Sequence, residues 1–235
     1  MGYMLLMFTL PLAGSALYLA HLHNDLSRKV QCRTSPFVQN KAIARAVPAT
    51  AWDNPGDYIL HHEYAHKTVP TTSLGRAPDE EMLTSYLRHT MADFATRPPA
   101  WGIWYLIKDA RDRATFDAAY IRALQFAPGE RVCGTYVVTS REDRRITLKL
   151  SAPDSYKGPL VEGILVVEIK EDGGLTTFAN HTVMWREQGK GKAGVLEGPV
   201  GRWMHGLMVR SLIERAVRQL CSTNRGITAT GKKGP

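Results

Sequence analysis

The pentapeptide His62-Glu63-Tyr64-Ala65-His66 is a literal HExxH. On a helix, that spacing stacks two imidazoles on one face to hold zinc and sets the glutamate beside the metal as general base. The surroundings argue for something else. A helix here would be confined between Pro55-Gly56 and Pro70, and Lys67 puts a charge next to the second histidine. Read as a strand, Tyr58, Leu60, His62, Tyr64 and His66 share one face. Glu80 or Glu81 could add a third ligand, but Pro78-Asp79-Glu80-Glu81 also reads as the acidic start of a helix. A zinc hydrolase is therefore the third-ranked reading, and no metal or other cofactor is expected. Local signatures of other chemistries are missing: there is no GxSxG elbow, and no Gly-Lys-Ser/Thr closes the basic loop Gly189–Gly194. Cys32, Cys133 and Cys221 show no CxxC spacing and read as free thiols.

What remains is a set of single hydrogen-bonding side chains, Tyr136, Asn180, His181 and Trp185 on strand-like segments and His205 at the start of a long helix. Beside an apolar pocket, they would suffice for a reaction that needs no nucleophile or redox group. Such a reaction asks only that a flexible apolar substrate be folded and that one donor reach a conjugated carbonyl. Each also has a plain structural reading. Tyr136 and Trp185 can be core, Asn180 a cap on a strand irregularity, and His181 and His205 packing or surface residues. Because neighbours on a strand face opposite sides, Asn180 and His181 cannot both point into one pocket.

The elements that would position them are legible between Arg131 and Leu220. Val132–Ser140 and Arg144–Ser151 alternate as strands around the short polar Arg141–Arg144, a β-hairpin. Leu160–Lys170 and Leu175–Glu187 form a second hairpin across Glu171-Asp172-Gly173-Gly174, with Val161, Leu165, Val167 and Ile169 on one face. From Val200 to Leu220, Trp203, Met204, Leu207, Met208, Leu212, Ala216 and Leu220 line one side of a helix expected to cover the sheet. Arg202, Gly206, Arg210, Glu214 and Arg218 form a row four residues apart on the opposite side. Upstream, Met82, Leu83, Tyr86, Leu87, Met91 and Phe94 mark another amphipathic helix. Trp101, Trp104, Tyr105, Leu106 and Ile107 follow Pro98-Pro99 as either core or the lid of an apolar pocket or membrane-facing patch.

The formal net charge of +8 is spread among acids without a nucleic-acid motif, so no nucleic-acid partner is expected, and a basic surface near a membrane is the preferred use of it. Met4–Ala20 is an uncharged run followed by Arg28, Lys29 and Arg33. It reads as a retained anchor with the main domain cytosolic; a cleaved signal peptide or a buried helix is the alternative. The expected organisation is an anchor over 1–24, a linker over 25–56, one α+β ligand-binding domain over 57–222 and a tail over 223–235. Oligomeric state is left open.

The element order resembles the helix-grip, START-like architecture, a curved antiparallel sheet around a long C-terminal helix with an apolar cavity between them; a cystatin-like or NTF2-like cone is the rival. Asn54–Tyr58, Pro128–Gly134, Tyr156–Pro159, Asn180–Arg186 and Gly201–His205 also resemble small fungal natural-product-pathway proteins of the norbornene-forming Diels-Alderase type found in sordaricin biosynthesis. That resemblance implies a membrane-bound cyclase at the endoplasmic reticulum performing a cofactor-free [4+2] closure of a hydrophobic terpenoid or polyketide. A non-catalytic lipid or terpenoid carrier is the alternative.

Overall fold

The structure is a computed structural model that describes residues 17–38, 40–49, 51, 56–74, 79–190 and 194–230. Its frame is a seven-stranded sheet in the order β1-β2-β7-β6-β5-β4-β3, with every neighbouring pair antiparallel. The strands are β1 (Gln31–Ser35), β2 (Tyr58–Pro70), β3 (Arg131–Val132), β4 (Tyr136–Glu142), β5 (Arg145–Leu150), β6 (Glu162–Asp172) and β7 (Leu175–Glu187). Both hairpins expected from alternation are present. The β6–β7 turn is made by Gly173 and Gly174, both at positive φ, as the tight connection of two right-twisted strands demands.

The helices are α1 (17–29), α2 (Lys41–Ala44), α3 (Asp79–Ala95), α4 (Pro98–Leu106), α5 (Ala110–Ala114), α6 (Ala118–Ala123) and α7 (Pro199–Thr230). Proline at the first position starts α4 without losing a helical hydrogen bond. Asp109 and Asp117 cap α5 and α6 by accepting two backbone N–H groups each. One face of the sheet lies under α3 and α7. Tyr86, Leu83 and Leu87 of α3 and Ile213 of α7 are fully buried there against Phe178, Ile146 and Leu148.

Two expectations change. First, the polar row on α7 is split: Arg202 and Arg218 are exposed at its ends, whereas Gly206 between them is buried and Glu214 pairs with Lys67 of β2. The helix lies beside β2, which plants polar side chains on its helix-facing side, so Glu214 meets its partner there. Trp203 and Met204, assigned to the buried stripe, are 37% and 47% exposed. Second, the stretch 25–56 carries edge strand β1, and its Val38, Ile43, Val47 and Ala51 bury Ile164, Val166, Val183 and Trp185 on the sheet's other face. The sheet is therefore covered on both faces over β2, β7 and β6. Of the anchor expected at Met4–Ala20, residues 1–16 lie outside the described part of the chain. Helix α1 carries Asp25, Arg28 and Lys29, and no described helix is long and apolar enough to cross a membrane.

Inside the larger core, the Tyr86 hydroxyl donates to Asn180 Oδ1 at 3.0 Å, with Tyr86 fully buried and Asn180 5% exposed. Tyr86→Phe removes the donor and leaves a buried acceptor unsatisfied. It should lower the unfolding free energy by about 1–3 kcal/mol in urea titrations, while Tyr86→Phe combined with Asn180→Leu should recover part of that loss.

Candidate functional site

Strand β2 decides where the chemistry-bearing residues go. Because HExxH lies on a strand, His62 and Glu63 point to opposite faces, and His62 and His66, on one face, stand about 13 Å apart along the chain. A single zinc ion cannot bridge that distance, and among the described residues no group of three His, Cys, Asp or Glu side chains is arranged to hold a metal. The helical geometry that the motif needs is therefore missing.

On the outer face, a buried line of polar groups runs across three strands. His62 donates to the Phe37 backbone carbonyl, and its Nε2 lies 3.1 Å from His181 Nδ1. The other nitrogen of His181 is 3.1 Å from Glu168 Oε1. Glu168 also receives Arg145 at 2.9 Å and Lys170 at 2.6 Å. Burial works against the Glu168 carboxylate, but hydrogen bonds from His181, Lys170 and Arg145 outweigh it and hold the group far below the usual carboxylate range. Every member has a partner, and Tyr64 stacks over both His66 and His181 at 4.8 and 4.6 Å. This line fastens the covering segment through Phe37.

On the helix-facing side of β2, Glu63 is 1% exposed and accepts from His205 Nδ1 of α7 at 3.1 Å. Its second oxygen has no protein partner; nor do His61 Nε2 and Arg210 Nε, both buried. Cys32 lies beside it, where burial and then the Glu63 charge push its thiol up to about 12, far from a reactive thiolate.

The five side chains singled out from the sequence thus fall in five places. His181 belongs to the outer polar line, and Trp185, 5% exposed, to the outer apolar core. Asn180 is bonded to Tyr86 under the helices. His205 joins Glu63. Tyr136 packs edge-on against Phe94 at 5.8 Å, behind α4. Alternation and sheet order keep them from converging on one pocket.

The surface offers a different site. Ala95, Trp101, Trp104, Tyr105 and Phe116 line an open groove of about 550 Å³. Trp101 is 60%, Trp104 43% and Tyr105 68% exposed, so the aromatic cluster of α4 is not core. The short α4 packs its Ala100 inward and turns its rings out. Arg113 lies over Trp104 at 4.4 Å, held by its Nε–H donating to the Ile107 carbonyl at 2.8 Å, and Lys108 lies 5.1 Å from the Tyr105 ring. The groove floor rests on Gly134, at φ +71, where an added Cβ would come within 2.2 Å of Ile107 Cδ1 and 2.9 Å of the Phe116 ring. The run of tryptophan and tyrosine after Pro98-Pro99 was the signal for this site; nothing in the sequence said that the ring faces would be turned outward.

No known protein family matches the chain, and no curated protein matches it. Among solved structures, the crystal structure of CalU16 from Micromonospora echinospora is similar at a TM-score of 0.35 and 13% identity, covering 86% of this chain and 96% of that one. That likeness is too loose to bear on fold or activity.

Two outcomes follow from this geometry. His62 is held down to about 4, by burial first and by His181 second, so the unfolded chain takes up its proton before the folded one does. The stability present above pH 6.5 should fall by about 2–3 kcal/mol from this residue as pH drops from 6.5 to 4, and urea titrations of His62→Asn should show a shallower decline. Gly134→Ala, forced to a positive φ and into Ile107, should cost about 3 kcal/mol or more and disturb Phe116, read by thermal melting and by loss of groove binding.

Proposed function

We propose that this protein binds an apolar small molecule in the aromatic groove of α4 and acts on it as a cofactor-free cyclase of secondary metabolism. The observation that carries the reading is the groove itself, about 550 Å³ of open space lined by four aromatic rings and an alanine. Rings held by a rigid helix bury apolar area at small entropic cost, and a flexible polyene pressed against them loses most of its extended conformers. An intramolecular [4+2] closure asks for little else, and the resemblance of Asn54–Tyr58, Pro128–Gly134, Tyr156–Pro159, Asn180–Arg186 and Gly201–His205 to norbornene-forming Diels-Alderases names that reaction. Pro128–Gly134 leads into the groove floor at Gly134. The sheet with α7 across it is read as a helix-grip arrangement, and the apolar N-terminal run as the means of keeping the domain at the endoplasmic reticulum membrane, where such substrates partition.

A carrier of lipids or terpenoids would use the same groove, so binding and turnover are separate measurements. Calorimetric titration with farnesol should give saturable binding that Trp101→Ala with Trp104→Ala weakens tenfold or more, the scale of losing two aromatic anchors. Equal affinity in that double variant would remove the groove from the account. A linear triene bearing an α,β-unsaturated aldehyde should then cyclise to a product ratio different from that in buffer; an unchanged ratio with intact binding identifies a carrier.

A further inference from the structure

Glu63 and His205 form an arrangement that the groove does not use. Glu63 is buried to 1% exposure and grips His205 Nδ1 at 3.1 Å, whereas the His205 side chain is 20% exposed. In the neutral imidazole, donating Nδ1–H to the carboxylate leaves the lone pair on Nε2, to which no group bonds among the described residues. The surroundings are suited to a substrate. Trp203, Met204 and Val200 are exposed on the same first turns of α7 at 37%, 47% and 73%, and His23 of α1 packs on Trp203 with ring centroids 5.9 Å apart.

The interior of the same spot holds polar atoms without partners. His61 Nε2, Glu63 Oε2 and Arg210 Nε are all buried and unbonded, with His61 9% exposed. A Cβ placed on Gly206 would lie 3.5 Å from Arg210 Nη1, 3.5 Å from Glu63 Oε2 and 3.8 Å from Cys32 Sγ, so these groups surround one point on the helix. Donors and acceptors left unmade at that depth mark a place where a polar group of a ligand, or the water it displaces, completes the bonding.

We infer that Glu63 and His205 are a proton-transfer site at the start of α7, taking a proton from an acidic C–H of an apolar carbonyl compound. His205 Nε2 accepts the proton, the C–H electron pair passes into the C=C bond and the carbonyl π pair moves to oxygen. The resulting imidazolium is balanced by Glu63. His205 is the catalytic residue and Glu63 a positioning residue. This activity stands apart from the groove, 101–105 contributing nothing to it.

The test uses full-length protein and 5-nitrobenzisoxazole, an apolar probe for a general base. Removal of its C3 proton forms the nitrile as the N–O bond breaks, and the electrons leave as a yellow phenolate. Saturable ring opening is expected. His205→Ala should lower kcat about 100-fold, the scale of losing a general base, and added imidazole should restore rate to that variant. Glu63→Gln should lower kcat about tenfold with KM unchanged, and His89→Gln should leave both alone. Thermal melting of each variant reports its fold. Ring opening no faster than that by free imidazole, or full rate in a folded His205→Ala, would overturn the assignment. Rate lost in Trp101→Ala with Trp104→Ala but kept in His205→Ala would instead move the chemistry to the groove.

Discussion

The pairing of β2 with β7 along their full lengths, both faces of the ribbon covered, is the constraint on which the rest of the molecule depends. A strand sends successive side chains to opposite sides, so a ribbon buried twice must satisfy polar residues twice. Here one side of β2 gives Glu63 to His205 and Lys67 to Glu214, both on α7, and the other gives His62 to His181 and the Phe37 carbonyl. These contacts set how α7 lies across the sheet and fasten the covering segment on the far side. A one-residue slip of register would exchange the two sets and leave every one of these groups without its partner.

That dependence explains which features could be read from the residues. Strong local periodicity was enough for both hairpins, for α3 with its buried Met82, Leu83, Tyr86, Leu87, Met91 and Phe94, and for the placement of a long helix at the C-terminus. The second apolar layer was not readable, because Val38, Ile43 and Val47 are sparse in sequence and become a core only by meeting Val166 and Val183, more than a hundred residues away. The polar row of α7 misled for the same reason: Glu214 looks solvated until Lys67 of a neighbouring strand supplies its counterpart. Of the HExxH residues, the strand reading kept His62, Tyr64 and His66 on one face, as found, but could not say that Glu63 would meet a helix histidine 142 positions on.

For the site, residue type carried more than pattern. The crowding of Trp101, Trp104 and Tyr105 within one short helix marked a place where apolar rings and water meet, and the structure turns all three outward around a groove. The individually chosen donors Tyr136, Asn180, His181, Trp185 and His205 were each reasonable on chemical grounds. A seven-stranded sheet nonetheless has two faces and two ends, and convergence depends on strand order, which alternation within a strand does not report. Two working surfaces result, an aromatic groove suited to shaping an apolar molecule and a carboxylate–imidazole pair suited to moving a proton.

The groove is the centre of the account, and a crystal structure of the full-length protein with bound farnesol tests it most directly. The account predicts the isoprenoid chain lying against Trp101, Trp104, Tyr105 and Phe116, with Tyr86 and Phe178 unmoved in the core. Farnesol lodged instead between α7 and the sheet, displacing those two rings and leaving α4 bare, would contradict it.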